Sequence, residues 1–148
     1  MADVFAITGS AMNAQNARLS TIASNLANAN SIAAPGDAPY RAHEVVFQAG
    51  PVDASDTEPG DDADPAGQVA SLGVNIVGTV LSNAPPVQTY DPSSPYADAQ
   101  GYVTGSNVSQ VGQMVDLINA SNSYSASVAV PQQATRVDQQ MISAFQVS

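Results

Sequence analysis

Residues 5–26 read FAITGSAMNAQNARLSTIASNL, and this stretch decides the fold. Four large apolar residues recur in it every seven positions, and a fifth lies on the same face one helical turn from its neighbours. They are Phe5, Met12, Leu19 and Leu26, with Ile22 as the fifth. This spacing is typical of the seam of a coiled coil or helical bundle, and the alanines between favour helix. The stretch therefore predicts a helix over residues 3–30 whose apolar stripe needs a partner.

The predicted helix ends near Asn28 and Asn30. Asparagine tolerates the left-handed backbone conformation that ends many helices. We therefore expect these two residues to act as its C-terminal caps.

Helical spacing returns after Asn107. Apolar side chains within residues 111–118 share one face, and residues 134–145 again show heptad-like spacing. Pro131 lies between these stretches, and a proline removes a helical hydrogen bond and clashes with the preceding turn. We expect the C-terminal helix, over residues 106–148, to be kinked or broken near residue 131.

The middle segment, residues 31–105, is rich in proline and glycine, which exclude a long helix. Strand-like runs occur between the prolines, at residues 40–47, 74–81, 87–90 and 102–103. Residues 53–67 read DASDTEPGDDADPAG and are typical of an acidic, solvated loop.

The sequence thus predicts an α+β fold. An N-terminal axial helix (residues 1–30) and a C-terminal axial helix pack as an antiparallel, coiled-coil-like pair, with a β-rich middle domain.

The composition excludes several classes of function. The 148 residues include three arginines and no lysine, and the formal charge is −10. Such an acidic chain repels nucleic acid and anionic membranes. There is no cysteine for a disulfide or thiolate site, and no apolar run approaches the roughly 20 residues of a membrane span. The N-terminus lacks the cations and apolar run of a cleaved signal peptide, so we expect any export to proceed without signal cleavage.

The helices themselves carry very little charge. The N-terminal one holds only Asp3 and Arg18, and the C-terminal one only Asp116, Arg136 and Asp138. Small neutral side chains allow close approach of helices on several sides at low desolvation cost. Two interpretations stay open at this point: a weakly charged helical hairpin on a globular domain, or a helix pair surrounded by other helices in an assembly.

Catalytic and metal-binding patterns are missing from the sequence. His43 is the single histidine, and no serine lies in a nucleophile-elbow pattern. Asp62 and Asp64 resemble the start of a calcium loop, but Ala66 and Gly73 occupy two of the ligand positions. We predict no catalytic residue, no cofactor and no metal site.

Several motifs resemble the axial rod proteins of the bacterial flagellum. Those shared by the wider group are SNLANANS at 24–31, PYRA at 39–42 and VVF at 45–47. A more specific series resembles the proximal rod type: YDP at 90–92, GYV at 101–103, NV at 107–108, MVDL at 114–117, AS at 120–121 and SY at 123–124. The resemblance covers almost the whole chain in order.

This resemblance implies a structural subunit rather than an enzyme. Such proteins stack helically into the hollow drive shaft that crosses the periplasm and transmits torque. Their terminal helices form the inner tube and the β-rich middle faces outward. The implied partners are further copies, the adjoining rod proteins and the flagellar type III export apparatus.

The resemblance also implies which side chains pack in the assembly. They are Phe5, Met12, Leu19, Ile22, Leu26, Val111, Met114, Leu117, Ile118, Tyr124, Met141 and Phe145. Ser106 departs from the family pattern, where a proline is usual, and Gln113 stands where a charged residue is expected. Such departures leave an alternative: a rod-derived paralogue that forms another secreted filament or acts as an export-linked accessory protein.

Overall fold

The structure is a computed structural model that describes residues 2–51 and 72–146. In chain order these residues form α1 (Ala2–Ala27), β1 (His43–Pro51), β2 (Leu72–Leu81), β3 (Gln88–Tyr90), β4 (Tyr102–Thr104) and α2 (Gln110–Gln146). β1 pairs with β2, and β3 pairs antiparallel with β4. The predicted α+β class is confirmed. The predicted acidic loop at 53–67 lies outside the described residues.

The described residues fall into two compact units. The first unit contains residues 2–16, 47–51, 72–77 and 122–146, and the second contains residues 17–46 and 78–121. Both helices contribute to both units. The division of the chain into segments 1–30, 31–105 and 106–148 stays a prediction.

The end of α1 differs from the expectation of a left-handed asparagine cap. No described residue other than glycine has a positive φ, so neither Asn28 nor Asn30 adopts that conformation. Instead, the Asn28 backbone N–H and its side-chain amide Nδ2 both donate to the Ser24 carbonyl oxygen, at 3.2 and 2.9 Å. The side chain thus adds a second hydrogen bond to this carbonyl near the end of the helix.

Helix α2 is assigned without interruption through the serine-rich stretch and through Pro131. Ser127 Oγ donates to the Ser123 carbonyl at 2.9 Å, so this serine satisfies its hydroxyl inside the helix. Pro131 has no N–H to donate to the carbonyl one turn earlier, which belongs to Ser127. The bend expected near residue 131 stays a prediction.

In the first unit, hydroxyl groups connect α1 to β2. Ser10 Oγ donates to the Ile7 carbonyl at 2.8 Å and accepts from the Val74 backbone N–H at 3.1 Å. Thr8 Oγ1 donates to the Val4 carbonyl at 2.6 Å, and Ala14 is only 2% exposed.

In the second unit, the chain leaving α1 runs beside the chain entering α2. The Ala33 N–H donates to the Thr104 carbonyl at 3.0 Å, and Ile32 forms an isolated antiparallel bridge with Gly105. The small apolar core of the second unit consists of Ile22, Ala42, Val103, Val108 and Ala120, each of which is buried.

The β3–β4 connection depends on Gly101. Its φ is +81°, a backbone conformation that favours glycine, and a Cβ there would approach the Tyr90 ring to 3.0 Å. A larger residue would therefore be strained both in its backbone and by this contact. The Tyr90 and Tyr102 rings meet edge to face at 5.3 Å. The glycine therefore allows the tyrosine pair to close the hairpin.

Asn25 is the centre of the second unit and is only 1% exposed. Its Nδ2 donates to the His43 carbonyl at 2.8 Å and to Gln113 Oε1 at 3.0 Å. Its Oδ1 accepts from the His43 backbone N–H at 2.9 Å and from the Tyr40 hydroxyl at 3.1 Å. One amide thus uses its full capacity of two donors and two acceptors to join α1, β1 and α2. We call this set of four residues the Asn25 junction.

Two further polar residues of the second unit, Asn107 and Ser106, also join segments that are far apart in the chain. Asn107 Oδ1 accepts from the Ala42 N–H at 2.6 Å, and its Nδ2 donates to the Ala84 carbonyl at 2.9 Å. Ser106 is 3% exposed; its Oγ donates to the Ala29 carbonyl at 2.6 Å and its N–H to the Ser31 carbonyl at 3.1 Å. A proline at position 106 could make neither bond, because it lacks both the hydroxyl and the N–H.

Asn25→Ala would remove all four bonds and leave half-buried polar groups of His43 and Gln113 without this partner. We expect the free energy of unfolding, measured by urea titration, to fall by about 2–4 kcal/mol. Asn30→Ala is the matched control on an exposed side chain, with an expected change within about 0.5 kcal/mol. Equal effects of the two substitutions would show that the junction does not stabilise the fold.

Pro131→Ala would restore a backbone donor inside α2. We expect the thermal midpoint of the helical circular dichroism signal to rise, with a gain of up to about 3 kcal/mol in helix stability. Gln132→Ala, at the next and exposed position, should have a much smaller effect. A fall in helicity of Pro131→Ala would contradict the expectation.

Candidate assembly surface

The first turns of α2 present two different faces within the second unit. One face meets α1: Gln113 bonds to Asn25, Arg18 Nη2 lies 3.6 Å from Asp116 Oδ1, and Ala120 is fully buried. Because positions 18 and 25 of α1 pair with 116 and 113 of α2, the two segments run antiparallel here. The helical period turns the residues between these contacts to the opposite side.

That opposite face is apolar and exposed. Val111 is 74% exposed, and Met114, Val115 and Ile118 are 51%, 53% and 60% exposed. Three and four residues separate these positions, so their side chains form one continuous patch. We call these four residues the outer α2 patch.

The later turns of α2, in the first unit, repeat the pattern. Five large apolar side chains between residues 130 and 145 are exposed, and the most exposed of them is Phe145 at 80%. The others are Val130, Val137, Met141 and Ile142. The period of the outer α2 patch thus recurs near the end of the helix.

The side chains predicted to pack in an assembly differ widely in burial. On α1, Ile22 is 4% exposed, Met12, Leu19 and Leu26 are half-buried, and Phe5 is exposed. On α2, every predicted packing residue is exposed in the single chain: Val111, Met114, Leu117, Ile118, Tyr124, Met141 and Phe145. Their role in assembly stays a prediction.

The list of predicted packing residues omits two sets of exposed apolar residues. Val115, Val137 and Ile142 belong to the exposed α2 faces, and helical periodicity could have added them to that set. On β2, the residues Leu72, Ile76, Val77, Val80 and Leu81 are also exposed. Strand alternation alone does not find this second set, because residues on both faces of β2 are open.

Charge contributes little to these helix surfaces. The Arg18–Asp116 pair is about 40% exposed on both sides, and such a pair contributes about 0–1 kcal/mol. Arg41 instead binds backbone: its Nη2 donates to the Ser82 carbonyl at 2.7 Å. The electrostatics therefore neither attract a strongly charged partner to the outer α2 patch nor repel an apolar one.

No cluster of chemistry-bearing side chains is found in the part of the chain that the structure describes. His43 is half-buried, and its ring lies beside that of Tyr40, with centroids 5.5 Å apart. Within residues 2–51 and 72–146, no three His, Asp or Glu side chains converge on a common metal position. Neither described helix has a long, apolar stretch that would allow it to cross a membrane.

Two flagellar families match the ends of the chain. The family described as flagella basal body rod protein matches residues 6–31, and flagellar basal body rod FlgEFG protein C-terminal matches residues 99–144. These matches cover most of α1 and most of α2.

Curated relatives extend the match to most of the chain. The flagellar basal-body rod protein FlgC of Salmonella typhimurium is 44% identical over 128 residues, which is 86% of this chain and 85% of the relative. The FlgC proteins of Yersinia enterocolitica and Agrobacterium fabrum are 41% and 33% identical over 86% of this chain, covering 85% and 82% of their own lengths. The resemblance seen in the sequence motifs is confirmed, and the chain belongs to the FlgC family of flagellar basal-body rod proteins.

Proposed function

We propose that this chain is a structural subunit of the flagellar proximal rod that polymerises helically through its two terminal helices. The observation that carries the proposal is the outer α2 patch, whose four apolar side chains are more than half exposed in the single chain. Contiguous apolar surface of this kind marks a protein interface. The names of the curated relatives support the rod as the assembly concerned.

The burial of the single chain supports the same proposal. In the described part of the chain, the buried apolar residues are Ala14, Ile22, Ala42, Val103, Val108 and Ala120. Most of the large apolar side chains there are exposed instead. Each fully buried large apolar side chain contributes about 1.5–3 kcal/mol. Much of the stabilisation available to this sequence is therefore gained only when copies associate.

The rim of the patch explains how several neighbours can be accommodated. Gln110 and Asn119 are neutral, exposed side chains that can donate and accept hydrogen bonds. Such a rim meets an equivalent helix without burying an unpaired charge. A helix with this surface suits the inside of a tube, where other helices surround it.

The finer parts of the proposal follow from the family. The partners are other copies and the adjoining rod proteins, and the site of assembly is the periplasmic rod of the basal body. The subunit reaches it through the flagellar type III export apparatus without signal cleavage. In the assembled shaft it transmits torque, and it performs no catalysis.

Met114→Asp tests the outer α2 patch. Since Met114 is 51% exposed, the substitution should alter the stability of the isolated chain by less than about 1 kcal/mol. In the assembly it would bury a charge, at a cost of several kcal/mol or more. We expect loss of the subunit from purified hook–basal bodies and loss of swimming, while export persists.

Tyr96→Asp is the matched control. Tyr96 is 49% exposed and lies in the β3–β4 connection, on the β-rich middle that faces outward in the proposal. This variant should assemble and swim normally. Normal swimming of Met114→Asp would refute the proposal, and normal swimming after deletion of the gene would favour the paralogue that builds another filament.

Salt provides a second test. An interface of apolar and neutral groups is not weakened by screening, whereas screening reduces the mutual repulsion of chains that each carry a formal charge of −10. We expect association of the purified chain, followed by sedimentation velocity, to be maintained or strengthened between about 0.05 and 0.5 M NaCl. Dissociation by salt would show that ion pairs hold the interface.

A further inference from the structure

His43 is the only histidine of the chain, and it is one of the four residues of the Asn25 junction. Its backbone N–H and carbonyl both bond to the Asn25 side chain, and its ring Nδ1 lies 3.2 Å from the Tyr40 hydroxyl. Whether each of these groups can donate or only accept determines which atom carries each hydrogen.

The backbone of His43 decides which way the Asn25 amide points. A backbone N–H can only donate and a backbone carbonyl can only accept. The Asn25 atom 2.9 Å from the His43 N–H is therefore the oxygen, and the atom 2.8 Å from the His43 carbonyl is the nitrogen.

The Tyr40 hydroxyl has one hydrogen and two close neighbours. Asn25 Oδ1, at 3.1 Å, carries no hydrogen, so Tyr40 must donate to it. If His43 Nδ1 also lacked a hydrogen, two lone pairs would face each other at 3.2 Å. Both contacts are hydrogen bonds only when Nδ1 carries the proton and donates to the Tyr40 oxygen. Ser24 Oγ lies further away, at 3.4 Å, and the hydroxyl oxygen can accept from it as well.

We infer that the junction holds neutral His43 as its Nδ1–H tautomer, and that protonation of the ring therefore leaves the whole junction intact. The added proton goes to Nε2, which makes none of the bonds described above. The single histidine is thus placed so that its charge can change without disturbing the contact between α1 and α2.

Charged residues from three elements lie near His43. A small cavity of about 80 Å³ is lined by His43 together with Arg18 of α1, Glu44 of β1 and Asp116 of α2. β2 contributes only Thr79, which does not titrate, to the neighbouring cavity. The two carboxylates and one guanidinium together carry one formal negative charge beside this cavity.

Nitrogen NMR of the ¹⁵N-labelled full chain tests the tautomer directly. With one histidine, a long-range ¹H–¹⁵N spectrum shows a single pair of ring nitrogens. For the neutral ring we expect the pyrrole-type shift at Nδ1 and the pyridine-type shift at Nε2. The reverse assignment would overturn the inference, with no variant needed.

Tyr40→Phe removes the oxygen that accepts from Nδ1. We expect the ring to shift towards the Nε2–H form, whereas Tyr96→Phe, which removes a hydroxyl outside the junction, should leave the ring nitrogens unchanged. In the unmodified chain, the Asn25 side-chain amide protons should keep their protection from exchange as the ring is protonated. Loss of that protection with ring protonation would also overturn the inference.

Discussion

The second unit depends on one constraint: the buried amide of Asn25 must satisfy all of its hydrogen-bonding capacity within the protein. It does so with the two backbone groups of His43, the Tyr40 hydroxyl and the Gln113 side chain. A buried polar group with fewer partners would cost about 1–3 kcal/mol, so the three elements that supply the partners must meet in one geometry. The direction in which α2 leaves the β-rich region follows from this requirement.

The junction and the outer α2 patch have complementary roles. Polar contacts on the inner face orient the start of α2, where Gln113 and Asp116 meet α1. The same orientation turns Val111, Met114 and Ile118 away from the chain's own core. In the proposed rod, hydrogen bonds within the subunit therefore determine which way the outer α2 patch faces. Neighbouring copies cover this patch and supply the apolar contacts that the single chain lacks.

Much of the fold could be predicted from the sequence, because helix and strand periodicities are local signals. The heptads of α1 and the short strands of the middle were found within a few residues of their bounds. The left-handed backbone expected at the end of α1 was wrong: Asn28 instead donates to the Ser24 carbonyl from both its backbone and its side chain. Helix α2 continues through the serine-rich residues 121–127, where Ser127 Oγ bonds to the Ser123 carbonyl.

The sequence alone did not define the candidate surface. The family resemblance pointed to Met114, Ile118 and Met141 as packing residues, but the sequence did not indicate that they are exposed in the single chain, nor that β2 is exposed along most of its length.

The sequence by itself determined the element types, the scarcity of charge on the helices and, through its motifs, membership of the flagellar rod proteins. Only the tertiary structure showed what the side chains of the motif residues Asn25, Tyr40 and Asn107 do. Each of them bonds to groups far away in the chain. It also decided which face of α2 is left for partners. Such pairings are set by which buried polar groups must satisfy one another, and a one-dimensional pattern of apolar residues does not contain that information.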